Sequence, residues 1–131
     1  MNITRVLVVD DSAFIRDVIK MALASASGAQ IELCAEASSA QELWQALESC
    51  DMDVVTLDIE LPDANGLELI ELVKARANCG VVVISGTPNQ HDLAMQLGAA
   101  ACFEKSELLY DSVRFAQAIR DAAGHGDREV A

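Results

Sequence analysis

The order of apolar runs along the chain predicts an α/β domain in which a five-stranded parallel sheet is covered by helices on both faces. Two patterns carry this reading. Short runs rich in Val, Ile and Leu recur five times, and a segment of helical period follows each one. The runs are also apolar at consecutive positions, the pattern of strands buried on both faces, with Val81 to Ile84 the purest case.

The elements follow in order. Ile3 to Val9 is the first strand. Ser12 to about Ser25 is a helix carrying Phe14, Ile15, Val18, Ile19, Ala22 and Leu23 on one stripe, ending near Gly28. Ile31 to Ala35 is a second strand, and Glu32 places it nearer an edge. Ser39-Ala40-Gln41-Glu42 has the spacing of a capping box and starts a helix bearing Leu43, Trp44 and Leu47, with Trp44 read as helix packing or a surface anchor. Asp53 to Leu57 is the third strand, Gly66 to Ala77 the third helix, and Val81 to Ile84 a central fourth strand. Asn89 to Leu97 is a short helix with Asn89 as N-cap and Gly98 past its end. Ala101 to Phe103 is a weak fifth strand. The last helix runs from Leu108 to Ala123, with Leu109, Val113, Ala116 and Ile119 on one side.

With 131 residues and 52% hydrophobic content, the chain fits one domain with a real core, assigned to residues 1–124. The polar, Gly-bearing stretch 125–131 is expected to fray as a C-terminal tail. No stretch approaches the roughly 20 apolar residues of a membrane span. The N-terminus enters a strand-like run directly, without the features of a secretory signal, which predicts a cytoplasmic protein. Cys34, Cys50, Cys79 and Cys102 show no metal-binding spacing and read as reduced, mostly buried thiols. A net charge of −12 argues against nucleic acid as a direct partner and favours solubility, cations or a basic protein surface.

Open parallel sheets bind ligands beyond the carboxyl ends of their strands, at the switch in strand order. Here the first strand ends in Asp10-Asp11, the third in Asp58, the fourth in Ser85-Gly86 and the fifth in Glu104-Lys105. Clustered carboxylates raise one another's pKa unless a cation holds them together. Mg²⁺ suits such a rim, being bound through one or two carboxylates, waters and phosphate oxygens, whereas the absence of soft ligands argues against zinc. The chemistry that needs this set is phosphoryl transfer to a carboxylate, with Asp58 as nucleophile, Lys105 pairing with a phosphoryl oxygen and Ser85 donating to another. Each residue alone has a bland reading as a helix cap, turn former or loop residue. Their joint arrival at successive strand ends favours the functional one.

With those residues in place, the chain resembles the receiver domain of bacterial two-component response regulators. RVLVVDDSAFIR, VVTLDIELPDANGLELI, VVVISG and the segment from Gly98-Ala99 to Lys105 fall in the family's order and at family-like spacing, over about Thr4 to Ala123. The resemblance implies a flavodoxin-like (βα)5 fold with strand order 2-1-3-4-5. It implies that Asp58 accepts a phosphoryl group from a phosphohistidine on a sensor histidine kinase or a histidine phosphotransfer protein. It further implies that Mg²⁺ is held by Asp58, by Asp11 directly, by Asp10 through water and by the backbone carbonyl of Glu60. Ser85 takes the place of the family's switch hydroxyl and Lys105 that of its lysine.

Three positions depart from the family pattern. Cys102 stands where an aromatic usually partners the switch hydroxyl, and Phe103 should face the other side of the strand. Cys102 reads as a small packed thiol. Ser106 stands where proline is usual and is a candidate cap for the last helix. The Glu60 side chain borders the site, either tuning the lifetime of an acyl phosphate or simply solvated. The reading is a stand-alone phosphorylatable module that is not an enzyme in the ordinary sense, since the receiver takes up nearly all the length. Its output would be a protein contact through the last two helices and the fifth strand. Alternatives are a receiver cut from a larger regulator, a pseudo-receiver that only binds, and an Mg²⁺-dependent phosphatase with Asp58 as nucleophile.

Overall fold

A computed structural model describes residues 3–26, 30–86 and 88–124. The expected tail at 125–131 and the turn at Gly28 lie outside the described residues. Five strands, β1 (Thr4–Val9), β2 (Ile31–Ala37), β3 (Val54–Asp58), β4 (Gly80–Ser85) and β5 (Ala101–Glu104), alternate with five helices. These are α1 (Ala13–Ser25), α2 (Ala40–Ser49), α3 (Gly66–Ala77), α4 (His91–Gln96) and α5 (Ser112–Ala122). The strands pair in parallel in the order β2-β1-β3-β4-β5. β2 is an edge strand and β4 an interior one, as their compositions imply. The order reverses between β1 and β3, which puts the crevice between the ends of those two strands.

Side-chain alternation along the strands fills two cores. Val55, Leu57, Val81 and Val83 pack with Leu43 of α2, Ile70 and Val73 of α3 and Ala94 of α4. The intervening Val54, Val82 and Ile84 face the other way, onto Ile19 and Leu23 of α1 and Phe115 and Ile119 of α5. Continuous apolar strands are therefore required, because each strand supplies both faces. Among the described residues no helix is long and apolar enough to cross a membrane.

Side chains cap several helix starts. Ser12 Oγ accepts from Ile15 N at 3.2 Å, and Asn65 Oδ1 from Leu67 N at 2.9 Å. The box at α2 is only half formed. Ser39 Oγ accepts from Glu42 N at 3.1 Å, but the Glu42 carboxylate turns to Ser38, taking its backbone N–H at 2.7 Å and its hydroxyl at 2.8 Å. Trp44 packs at the edge of its core with the Arg76 guanidinium 5.3 Å from its ring centroid, a surface anchor as expected.

Other expectations are corrected. Asn89 does not cap α4. Pro88, with its fixed φ, opens a 3-10 turn over Pro88–Gln90, and α4 begins at His91 with no side-chain cap. The last helix begins at Ser112 rather than Leu108, because a second 3-10 turn over Lys105–Glu107 runs on into a turn at 108–111. Its buried face is Phe115, Ala116 and Ile119, while Leu109 and Val113 are exposed. Phe14 likewise lies outside the α1 stripe, at 73% exposure. Ser106 caps no helix, since Glu107 Oε1 accepts from Glu104 N at 2.8 Å and closes that turn locally. All four cysteines are free thiols, but only Cys79 is fully buried, the other three being half-buried.

Candidate functional site

Asp10 follows the last residue of β1, and Asp58 is the last residue of β3, its neighbour in the sheet. Both side chains are buried. Asp10 is fixed by its own turn: Oδ1 accepts from Ser12 N at 2.9 Å, and its backbone carbonyl accepts from Arg16 Nη1 at 2.5 Å. Arg16 in turn meets Glu36 at 3.0 Å, tying the start of α1 to the end of β2. Asp58 Oδ1 accepts from Glu60 N at 3.1 Å. The following loop folds back on itself, with a bridge between Glu60 and Asn65 and a 2.6 Å bond from Gly66 N to Ile59 O. Gly66 is needed there because a Cβ would run into the Asp58 carbonyl and lie 2.7 Å from Ile59 Cα.

Lys105 reaches over the rim from the end of β5. Its Nζ lies 3.3 Å from Asp10 Oδ2 and 3.3 Å from Asp58 Oδ2, so one ammonium bridges the two buried carboxylates. Asp11 stands beside them and is exposed, and the three carboxylates offer oxygens within 4.8 Å of one another. Burial pushes the Asp58 carboxyl up to about 6. The Glu60 N–H pulls it down, the Asp10 charge pushes it up, and Lys105 pulls it down less. For Lys105, burial favours the neutral amine, but the Asp58 and Asp10 charges outweigh it and the ammonium is held above its usual range.

The donor set fits a hard divalent cation. It contains carboxylate oxygens and no His or Cys, and Asp10 Oδ2 is buried with no hydrogen bond among the described residues, 3.3 Å from the Lys105 ammonium. The exposed Asp11 leaves one side open to solvent, where a small cation keeps its waters. Asp10, Asp11 and Asp58 could hold the ion.

The carboxylates and Lys105 are thus brought together, as the strand ends imply. Ser85 closes β4 one residue beyond Ile84, the register partner of Asp58, and is buried at the same rim. The Glu60 side chain is exposed and, with Ile59, Leu61, Asn65, Asn89 and Gln90, lines an open cavity of about 530 Å³ beside the site. Cys102 packs beside its core with Sγ 3.6 Å from the His91 carbonyl, while Phe103 faces the opposite core and meets Phe115 edge to face at 5.2 Å. Sequence reasoning missed His91. Its Nε2 lies 2.8 Å from Ser85 Oγ, and the only available signal was an imidazole placed just after the strand-four loop.

Comparison with known proteins agrees with this arrangement. Residues 6–115 match the response regulator receiver domain family. Curated relatives include protein-glutamate methylesterase/protein-glutamine glutaminases: that of Pyrococcus horikoshii is 42% identical over 62% of this chain, and that of Agrobacterium fabrum 35% identical over 79%. The chain spans only 22% and 30% of those two proteins. The response regulator domain of Thermotoga maritima CheB superposes with a TM-score of 0.80 at 29% identity, covering 94% of this chain and 98% of that one. With a parallel sheet in the order 2-1-3-4-5 and a family match over most of its length, the chain belongs to the response regulator receiver domains of two-component signalling.

Proposed function

We propose that this receiver is phosphorylated on Asp58 by a phosphohistidine of a sensor histidine kinase or histidine phosphotransfer protein, with Mg²⁺ as cofactor. The observation that carries the reading is the Lys105 ammonium held 3.3 Å from both Asp10 and Asp58. That cation lies where negative charge accumulates when a phosphoryl group approaches Asp58. An Asp58 carboxylate oxygen forms the new O–P bond as the N–P bond of the phosphohistidine breaks, and the imidazole leaves with a proton. Lys105 then pairs with a phosphoryl oxygen, and Ser85 donates a hydrogen bond to another. Asp10, Asp11, Asp58 and the Glu60 carbonyl would hold Mg²⁺, which supplies charge neutralisation across the transferring group.

The receiver domain occupies residues 1–124, with 125–131 as its tail, in the cytoplasm. It is a phosphoacceptor rather than a turnover enzyme, and it uses neither nucleic acid nor membrane as a partner. Its output surface is the α4–β5–α5 face, where Leu93, Met95, Leu109, Tyr110 and Val113 are exposed. The chain acts either as a stand-alone regulator or as the receiver of a larger one. The second organisation is favoured by relatives in which the matched part is less than a third of the length, and there the output would be the attached methylesterase.

Incubation with Mg²⁺ and acetyl phosphate, followed by intact-mass measurement, tests the reaction. One phosphoryl adduct is expected in the wild type and none in Asp58→Asn. No adduct in the wild type would leave only a binding module, and sustained turnover of a phosphoester would make the protein a phosphatase.

A further inference from the structure

The Ser85 hydroxyl is committed to a partner that the site's carboxylates do not supply. His91, the first residue of α4, places Nε2 2.8 Å from Ser85 Oγ, and Ser85 is only 2% exposed. Where Nε2 carries no proton, the hydroxyl donates to the ring and its direction is fixed; where Nε2 carries one, the hydroxyl oxygen accepts and its own proton stays free to turn. On β5 the thiol of Cys102, the register partner of Val83, contacts the His91 backbone. β5 thus contributes a small group there, and the imidazole that meets Ser85 comes from α4.

The same contact bears on α4. This helix has six residues, and Gln90 makes no side-chain capping bond at its start. Its first residue is nonetheless tied to β4 through Ser85 and touched by Cys102 from β5. A short, weakly capped helix is sensitive to the loss of one such tie. The exposed Leu93 and Met95 lie two and four residues beyond His91 in the same helix.

We infer that His91 Nε2 accepts the Ser85 hydroxyl proton in the resting protein, which makes His91 a positioning residue, and that phosphorylation of Asp58 draws the hydroxyl away from His91 and loosens the start of α4. The inference rests on the phosphoacceptor reading above. Ser85 has one hydroxyl proton, so a hydroxyl turned to an oxygen on Asp58 gives up the orientation that the imidazole fixes. His91 therefore opposes the phosphorylated state, and its removal favours that state.

Beryllofluoride with Mg²⁺, which mimics a phosphoryl group on Asp, provides the test, read by ¹⁹F NMR and by ¹⁵N NMR of labelled histidines. The chain has two histidines, so loss of one signal in His91→Gln assigns the ring. The His91 ring nitrogens should shift when beryllofluoride binds. In Ser85→Ala, without beryllofluoride, they should already differ from the wild type. Beryllofluoride should bind about 2- to 10-fold more tightly to His91→Ala than to the wild type, the range of one ordinary hydrogen bond. His91→Gln, which keeps an amide able to bond Ser85, should return toward the wild-type value. A His91 signal that ignores bound beryllofluoride overturns the inference, as does an unchanged or weaker affinity in His91→Ala. Absence of any bound-fluoride signal in the wild type overturns the phosphoacceptor reading instead. The resting contact is then still decided by comparing wild type and Ser85→Ala without the ligand.

Discussion

Cys79 and Cys102 show what burial does to a single titratable group in this chain. Burial pushes both thiols up to about 11 from the ordinary 9.0. The thiolate is the reactive form, so at a pH near 8 each should carry about 100-fold less of it than in the unfolded chain. Labelling with an aromatic disulfide, followed by peptide mass mapping, should find these two sites slow in the native protein and fast in urea. Because the native state favours the protonated thiols, their contribution to stability is present below about pH 9 and is lost as pH rises through about 11. The same physics made the site legible. Asp10, Asp58 and Lys105 stand out in the sequence because charged residues directly after apolar strands must have partners, and the partners prove to be one another. Phe103 and Cys102 were separable by the two-residue period of a strand. His91 was not legible, since its contact with Ser85 depends on the path of a 3-10 turn between them.

At the scale of elements, the strands, α1 and α3 could be read closely, and the starts of α4 and α5 could not. A strand buried on both faces announces itself by composition, and the five were placed to within two residues at either end. α4 and α5 were misjudged at their starts because a 3-10 turn precedes each, and after the second of these the residues 108–111 form a turn whose apolar side chains mimic a first helical turn. Leu109 joined the expected stripe of α5 for that reason, yet it is 54% exposed. The start of α3 shows how an element positions the chemistry. Its first residue, Gly66, packs its backbone against the Asp58 carbonyl, so the helix sets the height of the Asp58 turn. Gly66→Ala must push two backbone segments apart and should cost roughly 2–4 kcal/mol, above the usual range for one added methyl in a core. Chemical denaturation should show this, with weaker beryllofluoride binding alongside. Gly86, where a Cβ meets nothing within 4 Å, supplies the control, and Gly86→Ala should stay within about 0.5 kcal/mol of the wild type.

The whole molecule carries a net charge of −12, and three of its carboxylates converge on one crevice. Folding without metal therefore opposes charge repulsion both generally and locally. The local part has a defined pH dependence. The Asp58 carboxyl is raised from 3.8 to about 6 in the folded protein, chiefly by burial, so the native state favours its protonated form. That contribution is complete below about pH 4 and is lost as pH rises through about 6, leaving the metal-free protein at neutral pH with a buried charge that the shared Lys105 ammonium and the Glu60 N–H only partly offset. Asp58→Asn should consequently melt higher than the wild type near pH 7.5 in the absence of metal, and the difference should shrink near pH 5. Mg²⁺ should act in the opposite sense across the same range. It binds the ionised cluster, so at about 100 times its Kd it should add about 2.7 kcal/mol near pH 7.5, or several degrees in Tm, and much less near pH 5. Na⁺ at matched ionic strength separates the two terms. Screening of the general charge is common to both salts, whereas the pH-dependent surplus belongs to the carboxylate cluster. Calorimetric melting in both salts, at both pH values and with both chains, should show that surplus in the wild type and most of it missing in Asp58→Asn. If Na⁺ and Mg²⁺ raise Tm equally at neutral pH, the cluster is not a specific cation site.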